Sequence, residues 1–383
     1  MGVRILGLGT ALPKYSISQR DAFLHASELC CHNGAQKRAL DKLYRRTEIG
    51  SRASVLLDEE FRAGVYDGFF SERMNSDDCG PSTLERMNRY KQEAPLLAFD
   101  SAQRAIQSSG VDPSIISHLV SASCTGFCAP GFDIDLIESL NLRRIVARTH
   151  IGFMGCHSGL NAIRTAAAFC SESPENVVLV NTTELCSLHF QYGWQSDNLV
   201  ANSLFGDGSA SLVMTNDRST AGLSSLIGFE QHMSGFEDCM VVPGLRYLAN
   251  RSWVFPEDKE LMSWTITNSG FVMTLKPELS EFIRENLRAL LSSWLSELRL
   301  DLSCIGSWCV HPGGPRILDA VENACDLPDS ALEPSRQVLA ECGNMSSPTI
   351  FFVLQRLLNI KARTPVLLLA FGPGLTVEAA LLG

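Results

Sequence analysis

The sequence has no cationic excess. Its 42 acidic residues outnumber the 32 lysines and arginines, for a formal net charge of −10 and a pI near 5.3. A chain so balanced offers no broad positive face to nucleic acid or to an anionic membrane, so an anionic ligand must meet a local basic patch. Long apolar runs are missing too. PVLLLAF, Pro365 to Phe371, is far short of the roughly 20 residues that span a bilayer. No leader-like segment precedes the thirteen cysteines, and Cys170, Cys186 and Cys309 sit inside apolar runs, which predicts a reducing cytoplasm and no structural disulfides. There is no C-x-x-C pair, and Cys30, Cys31 and His32 have no second ligand pair downstream, so no metal site is expected. Gly7-x-Gly9 has Leu12 where a dinucleotide fingerprint needs its third glycine, with no acidic residue about twenty positions on. That glycine pair reads as a tight strand exit. A G-x-S-x-G elbow is also absent, which disfavours a hydrolase of that type.

What is present is enough apolar material, 45% of 383 residues, for two domains or one fused pair. Apolar strands alternate with helical patterns: a helix over Ser82–Gly110 broken or kinked near Pro95, then the strand ISHLVSASCTG. RIVARTH, a helix from Gly155 to Cys170, NVVLVNTTE and LFGDGSASLVMT follow. After a polar stretch, Glu230–Lys259, the order recurs with a helix at Pro277–Leu298, GSWCVH, helices near Ile317–Cys325 and from Thr349, then TPVLLLAF and GLTVEAALL. This predicts an α/β fold with buried strands in two similar halves, 1–220 and 221–383, although no repeat of residue identity is visible. Gly50–Pro81 reads as an irregular excursion, a candidate lid. Gln36–Arg46 is helical and sets Arg38, Lys42 and Arg45 on one face.

Cys156, in HIGFMGCHSGLNA, falls in the first turn of a helix whose Leu160, Ala162, Ile163, Ala166 and Ala167 make it apolar nearly all round. Free N–H groups and the positive dipole end favour a thiolate there, whereas most of the other cysteines read as inert packing residues. A nucleophilic thiol needs a proton acceptor. Among eight histidines, His311 ends a buried strand and is followed by Pro312-Gly313-Gly314-Pro315, a rigid turn. His157 is adjacent to Cys156 and is assigned a structural or tuning role. Asn344, in ECGNMSSPTI, is on local pattern equally a turn residue or a helix cap. Beside an imidazole, its amide suits stabilisation of a developing oxyanion or enolate.

Four ordered motifs, GFMGCHSG, VHPGGPRILDAVE, GNMSS and FGPGLTVE, spread from Gly152 to Glu378, closely resemble the signatures of the type III polyketide synthases, the chalcone-synthase-like branch of the thiolase fold. The resemblance covers essentially the whole chain. It implies a homodimer of subunits with a five-layered αβαβα fold made of two related halves, and a Cys156-His311-Asn344 triad. It implies no permanent cofactor, with acyl-CoA and malonyl-CoA as substrates. Cys156 would be acylated and then extended by repeated decarboxylative Claisen condensation, with cyclisation to an aromatic or pyrone product. On this reading a thiolate is held by the helix end and a protonated His311.

The resemblance also implies pocket residues. Phe205 matches a gatekeeper phenylalanine, Met273 stands where plant members carry a second one, and Trp264 stands where they carry glycine, which would narrow or redirect the cavity. CTGFCAPG would bring Cys124, Thr125, Ala129 and Pro130 near substrate on a loop crossing towards the partner subunit. Phe371, Gly372, Pro373 and Gly374 would form a backbone wall, and Arg38, Lys42, Arg45 and Arg316 would hold coenzyme A phosphates. GWQSDNLVANSLFGDG resembles bacterial members more than plant ones. The alternatives are a ketoacyl synthase III-like enzyme acting on acyl-carrier protein, opposed by the Pro-Gly-Gly-Pro turn and GNMSS, and a non-catalytic scaffold, opposed by the intact triad.

Overall fold

Local chemistry sets the element ends. Ser82 and Glu85 close a capping box, and Gly110 in the left-handed conformation ends the helix they start; that helix runs 27 residues with Pro95 inside it. The computed structural model describes residues 2–58, 68–71, 73, 75, 77–217 and 239–383, with the side chains of 239–244 excepted. Of the candidate lid, Gly50–Pro81, residues 59–67, 72, 74 and 76 lie outside the described residues, as does the expected boundary near 220.

The N-terminal half comprises β1 (Val3–Ala11), β2 (Ser16–Ser18), α1 (Gln19–Cys30), α2 (Gly34–Arg45), β3 (Ser51–Ala53), α3 (Thr83–Ser109), β4 (His118–Ser123) and α4 (Phe132–Ser139). It continues through β5 (Ala147–Gly152), α5 (Ser158–Glu172), β6 (Val177–Leu185), α6 (Ser196–Leu204) and β7 (Asp207–Asn216). The C-terminal half comprises β8 (Cys239–Val254), a hairpin of β9 (Met262–Thr267) and β10 (Gly270–Leu275), α7 (Glu278–Glu297), β11 (Ser307–Val310) and α8 (Pro315–Cys325). α9 (Glu333–Cys342), α10 (Thr349–Asn359), β12 (Val366–Gly372) and β13 (Thr376–Leu382) complete it.

Nine strands join in the order β11-β12-β13-β8-β1-β7-β6-β4-β5. β4 is parallel to β5 and β6, β11 is parallel to β12, and the other neighbours are antiparallel. Outward from the β1–β8 contact the two sides repeat: β7, β6, β4 on one and β13, β12, β11 on the other, with α3 before β4 matched by α7 before β11, and α5 before β6 by α10 before β12. The duplication is therefore visible in topology, where residue identity hides it.

Strand alternation builds the layers. Leu119, Val177 and Leu179 face a core with α3, while Val120, Val178 and Val180 face a core with α5 and α10. On the other side Cys309, Leu368 and Ala370 join that same central core, while Val310, Leu367 and Leu369 face α7 and α8. The order is thus helix, sheet, central helices, sheet, helix. α5 and α10 are sheathed on both sides, which explains their apolar circumference. β5 departs from the expected buried strand: it is the sheet edge, and four of its six residues are exposed.

Candidate active site

The chain enters α5 through a sharp turn. Phe153 and Gly155 have φ of 57° and 73°, and a Cβ at Gly155 would lie 2.4 Å from the Pro373 ring, so the position requires glycine. A single 3-10 turn, Gly155–His157, then leads into α5 and leaves the buried Cys156 at the helix start.

The partners arrive from the other half. His311 follows β11, its N–H donating to the Leu369 carbonyl of β12 at 2.8 Å. Asn344 precedes α10, the topological counterpart of α5. Its N–H donates to Leu204 O at 2.9 Å, and Gly206 N–H donates back to Asn344 O at 3.0 Å. Its side-chain Oδ1 accepts from the Ser346 N–H at 2.8 Å, a turn made possible by Ser346 at φ 59°. With the oxygen so engaged, Nδ2 is the donor end of the amide; it makes a long 3.5 Å approach to Gly313 O, and the side chain also interacts with the Cys156 thiol. Neither ring nitrogen of His311 has a hydrogen-bond partner among the described residues.

Burial acts on each group towards neutrality. It pushes the Cys156 thiol up to about 11, against lowering contacts from Ser346 and Asn344, and pulls His311 down to about 3, with His157 adding to the effect. A lone thiolate at the helix start, as the sequence suggested, is thus opposed by desolvation. Charge on either group is better sustained where thiolate and imidazolium stand together as counter-ions.

Cys156, His311 and Asn344 share a cavity otherwise lined mainly by apolar groups, Leu204, Phe205, Met262, Met273, Leu275, Leu279, Ile317 and Phe371 among them. Cys156 also lines an adjoining cavity with Cys124, Thr125, Cys186, Trp264, Ser346 and Pro373. Phe205, Met262 and Met273 border both. Met273 and Trp264 are cross-strand partners in the β9–β10 hairpin, and the indole donates to Cys124 O at 2.7 Å. Behind them His189 stacks on Phe271 at 4.2 Å. Phe271 N–H donates to its Nδ1 at 3.0 Å, which leaves Nε2 as the donor to Thr125 O at 2.7 Å. Beyond this wall lies a more polar cavity with Arg52, Ser54, Ser187, Gln191, Asn198 and Asn202. Among the described residues no three His, Cys, Asp or Glu side chains could hold a metal ion.

Comparison with known proteins agrees with this arrangement over the whole length. Residues 2–218 match the N-terminal domain of chalcone and stilbene synthases and residues 248–383 their C-terminal domain. The chain belongs to the chalcone and stilbene synthase family. It is a type III polyketide synthase, an acyltransferase-type enzyme of a family consistent with Claisen condensation and cyclisation. It is 30% identical to the alpha-pyrone synthesis polyketide synthase-like Pks18 of Mycobacterium tuberculosis, across 98% of this chain and 90% of that protein. It is 29% identical to the 1,3,6,8-tetrahydroxynaphthalene synthase of Streptomyces peucetius subsp. caesius, across 100% and 93%. Polyketide synthase 37 of Dictyostelium discoideum is 28% identical over 378 residues, but this chain spans only 12% of its length. Among solved structures, PKS-I of the brown alga Ectocarpus siliculosus superposes with a TM-score of 0.85 at 28% identity, covering 100% of this chain and 98% of that one. Relatives from bacteria, an amoeba and an alga stand at similar identity, so they add no support to the bacterial affinity read from the sequence.

Several residues expected in the synthase pocket line the two cavities at Cys156: Phe205, Met273, Trp264, Cys124, Thr125 and Pro373. Others do not. Ala129 and Pro130 line a separate cleft with Tyr90, Phe127, Arg148 and His150, because the loop turns away at Gly126, whose Cβ would lie 2.2 Å from the Tyr90 ring. Gly372 is no part of either cavity lining; it lies under the His157 ring, where a Cβ would fall 1.8 Å from Nδ1. Arg38, Lys42 and Arg45 are exposed on α2 and Arg316 on the first turn of α8. None of the four lines a described cavity, and Arg45 pairs with Asp41 at 2.9 Å.

Sequence reasoning missed Glu184, whose apolar strand gives no hint of function. It is buried, accepting at Oε2 from Cys124 N–H (2.9 Å), Thr125 N–H (3.0 Å) and Thr125 Oγ1 (2.7 Å), and at Oε1 from Ser347 Oγ (2.6 Å). One carboxylate thus ties the cavity loop of the first half to the turn after Asn344 in the second. Burial raises its pKa while these donors hold it down. Glu184→Gln leaves Ser347 or the loop without an acceptor, and should cost about 2–3 kcal/mol, read as a lowered urea midpoint at unchanged m. An unchanged midpoint would show that the bridge contributes nothing.

Proposed function

We propose that this synthase takes its starter from a coenzyme A thioester onto Cys156 and extends it with malonyl-CoA. Cys156 attacks the starter carbonyl, its proton passing to His311, which returns it to the departing coenzyme A sulfur. Malonyl-CoA then loses CO2. The Nδ2 of Asn344 and the ring of His311 donate to the thioester oxygen as it gains charge, and the enolate carbon attacks the acyl-Cys156 carbonyl, expelling the sulfur. The observation that carries this reading is the convergence of three polar side chains on one apolar cavity, from positions 155 (311 − 156) and 188 (344 − 156) residues apart. No permanent cofactor is needed.

The apolar lining by Leu275, Leu279 and Ile317 suits a hydrocarbon starter, and the Trp264–Met273 pair limits the space into which the chain grows. Arg38, Lys42, Arg45 and Arg316 are the cations we assign to the coenzyme A phosphates. A homodimer fits the cluster of exposed Phe127 and Phe153, with rings 5.7 Å apart, beside exposed Met154 at the β5 edge. Described cysteines that are all free thiols fit the cytoplasm. Among the described residues no helix is long and apolar enough to cross a membrane. Incubating the protein with malonyl-CoA and acyl-CoA starters from acetyl to long acyl should release CO2 and yield pyrones, resorcinols or related rings by mass spectrometry. No malonyl-dependent product with any starter, or a preference for malonyl-acyl-carrier protein over malonyl-CoA, would refute the reading.

A further inference from the structure

α5 is apolar wherever it meets the central core, yet Asn161 and Arg164 share one of its faces, and His157, the last residue of the 3-10 turn that leads into it, precedes them at helical spacing. This polar stripe runs from dry to wet. His157 is 1% exposed and touches the active site by sequence, while the Arg164 side chain is 38% exposed. The stripe faces β12 and β13. The His157 ring lies on Gly372, Asn161 Nδ2 donates to Glu378 Oε1 at 2.8 Å, and Arg164 Nη1 donates to both Glu378 oxygens at 3.1 and 3.2 Å. Ser252 Oγ adds a further bond to Glu378 at 2.8 Å.

On and beside this stripe, polar atoms stand without hydrogen-bond partners among the described residues: both ring nitrogens of His311, both of His157, Asn161 Oδ1 and Tyr247 Oη. Buried polar atoms are otherwise nearly always paired, by protein or by ordered water. A run of orphan atoms between a catalytic imidazole and a half-exposed ion pair therefore has the chemistry of a proton path. Burial disfavours charge on both imidazoles, and beyond that a charge on His157 opposes one on His311 and Arg164 opposes one on His157.

The proposed reaction requires such a path. Loading is proton-neutral, because the proton leaving Cys156 ends on the coenzyme A sulfur. Extension is not. The malonyl carboxylate departs as CO2, its C–C electron pair forms the new C–C bond, and the broken C–S bond leaves Cys156 as thiolate. One proton must enter from solvent for each carbon pair added.

We propose that His157 is a positioning residue for that proton, handing it to His311 from the Asn161–Glu378–Arg164 end of the stripe. This rests on the condensation reading above. Arg164, Glu378, Tyr247 and His311 are the titratable or charged groups we place along it, with Cys156 adjacent.

The test separates the two half-reactions in His157→Phe, which keeps a ring on Gly372. Acylation of Cys156 in a single turnover, read by intact mass, should fall less than threefold. Malonyl-dependent CO2 release should fall about ten- to a hundredfold, with the loss greater at pH 8 than at pH 6 and with a larger solvent deuterium isotope effect. Asn161→Leu, at the middle of the stripe, should show the same split in weaker form, and it carries the test if His157→Phe does not fold. Extension at the unaltered rate overturns the proposal, as does an equal fall in loading and extension with an unmoved pH profile, which is the mark of packing alone. An unaltered protein that is acylated yet releases no malonyl-dependent CO2 overturns the condensation reading, and the relay with it; an active unaltered protein with no split in the variants overturns the relay only.

Discussion

Cys156→Ala abolishes starter loading: incubated with acyl-CoA, the variant shows no acyl adduct by intact mass, and product formation drops by at least about four powers of ten. The reason is positional. Of the three cysteines at the adjoining cavity, Cys156, Cys124 and Cys186, only Cys156 also shares the cavity with His311 and Asn344. Burial drives the thiols of Cys124 and Cys186 well above their usual range, with Glu184 adding to the rise. Cys124 is further occupied, accepting the Gly155 N–H at 2.9 Å. Neither can take over as nucleophile. Removal of one sulfur changes core volume little, so far-ultraviolet circular dichroism should be unaltered. An acyl adduct persisting on the variant would move the nucleophile elsewhere.

Asn344→Asp separates the donor role from the fold. Aspartate keeps an oxygen to accept the Ser346 N–H, now made at 2.8 Å, but replaces the Nδ2 donor with a second acceptor. Loss of one preorganised donor to a developing oxyanion costs about 3–4 kcal/mol, or 10²–10³ in rate, and a carboxylate facing an enolate adds repulsion. Malonyl decarboxylation should therefore fall at least a hundredfold while Cys156 loading persists. Asn344→Ala should lose a similar factor and also some stability, because the Ser346 turn goes with it. Decarboxylation within threefold of the unaltered protein would remove Asn344 from the reaction and leave it a turn residue only.

Much of the architecture can be read from residues close together in the chain. Cys156 at a helix start, His311 at a strand end before a rigid turn, and Asn344 ahead of another helix follow from glycine placement and apolar periodicity. Most strands of both halves are found within a few residues of where the pattern puts them, but β8, Cys239–Val254, occupies the stretch 230–259 that reads as merely polar. The β9–β10 hairpin was not found, because its half-exposed strands carry no clean alternation. Glu184 was not found either, since nothing in NVVLVNTTEL separates a satisfied buried carboxylate from the end of an ordinary strand.

Backbone preferences and side-chain periodicity act over a few residues, so the sequence by itself determined most of the helices and strands and the motifs that make this chain a type III polyketide synthase. Register and packing act across hundreds, and they decided the rest. Strand pairing set Met273 opposite Trp264, and hydrogen bonding fastened that pair to Cys124. Close packing at Gly126 turned Ala129 and Pro130 out of the cavity, and packing at Gly372 put His157 beneath β12. Only the fold, by setting α5 and α10 side by side in one central layer, brings the thiol of one half to the amide of the other.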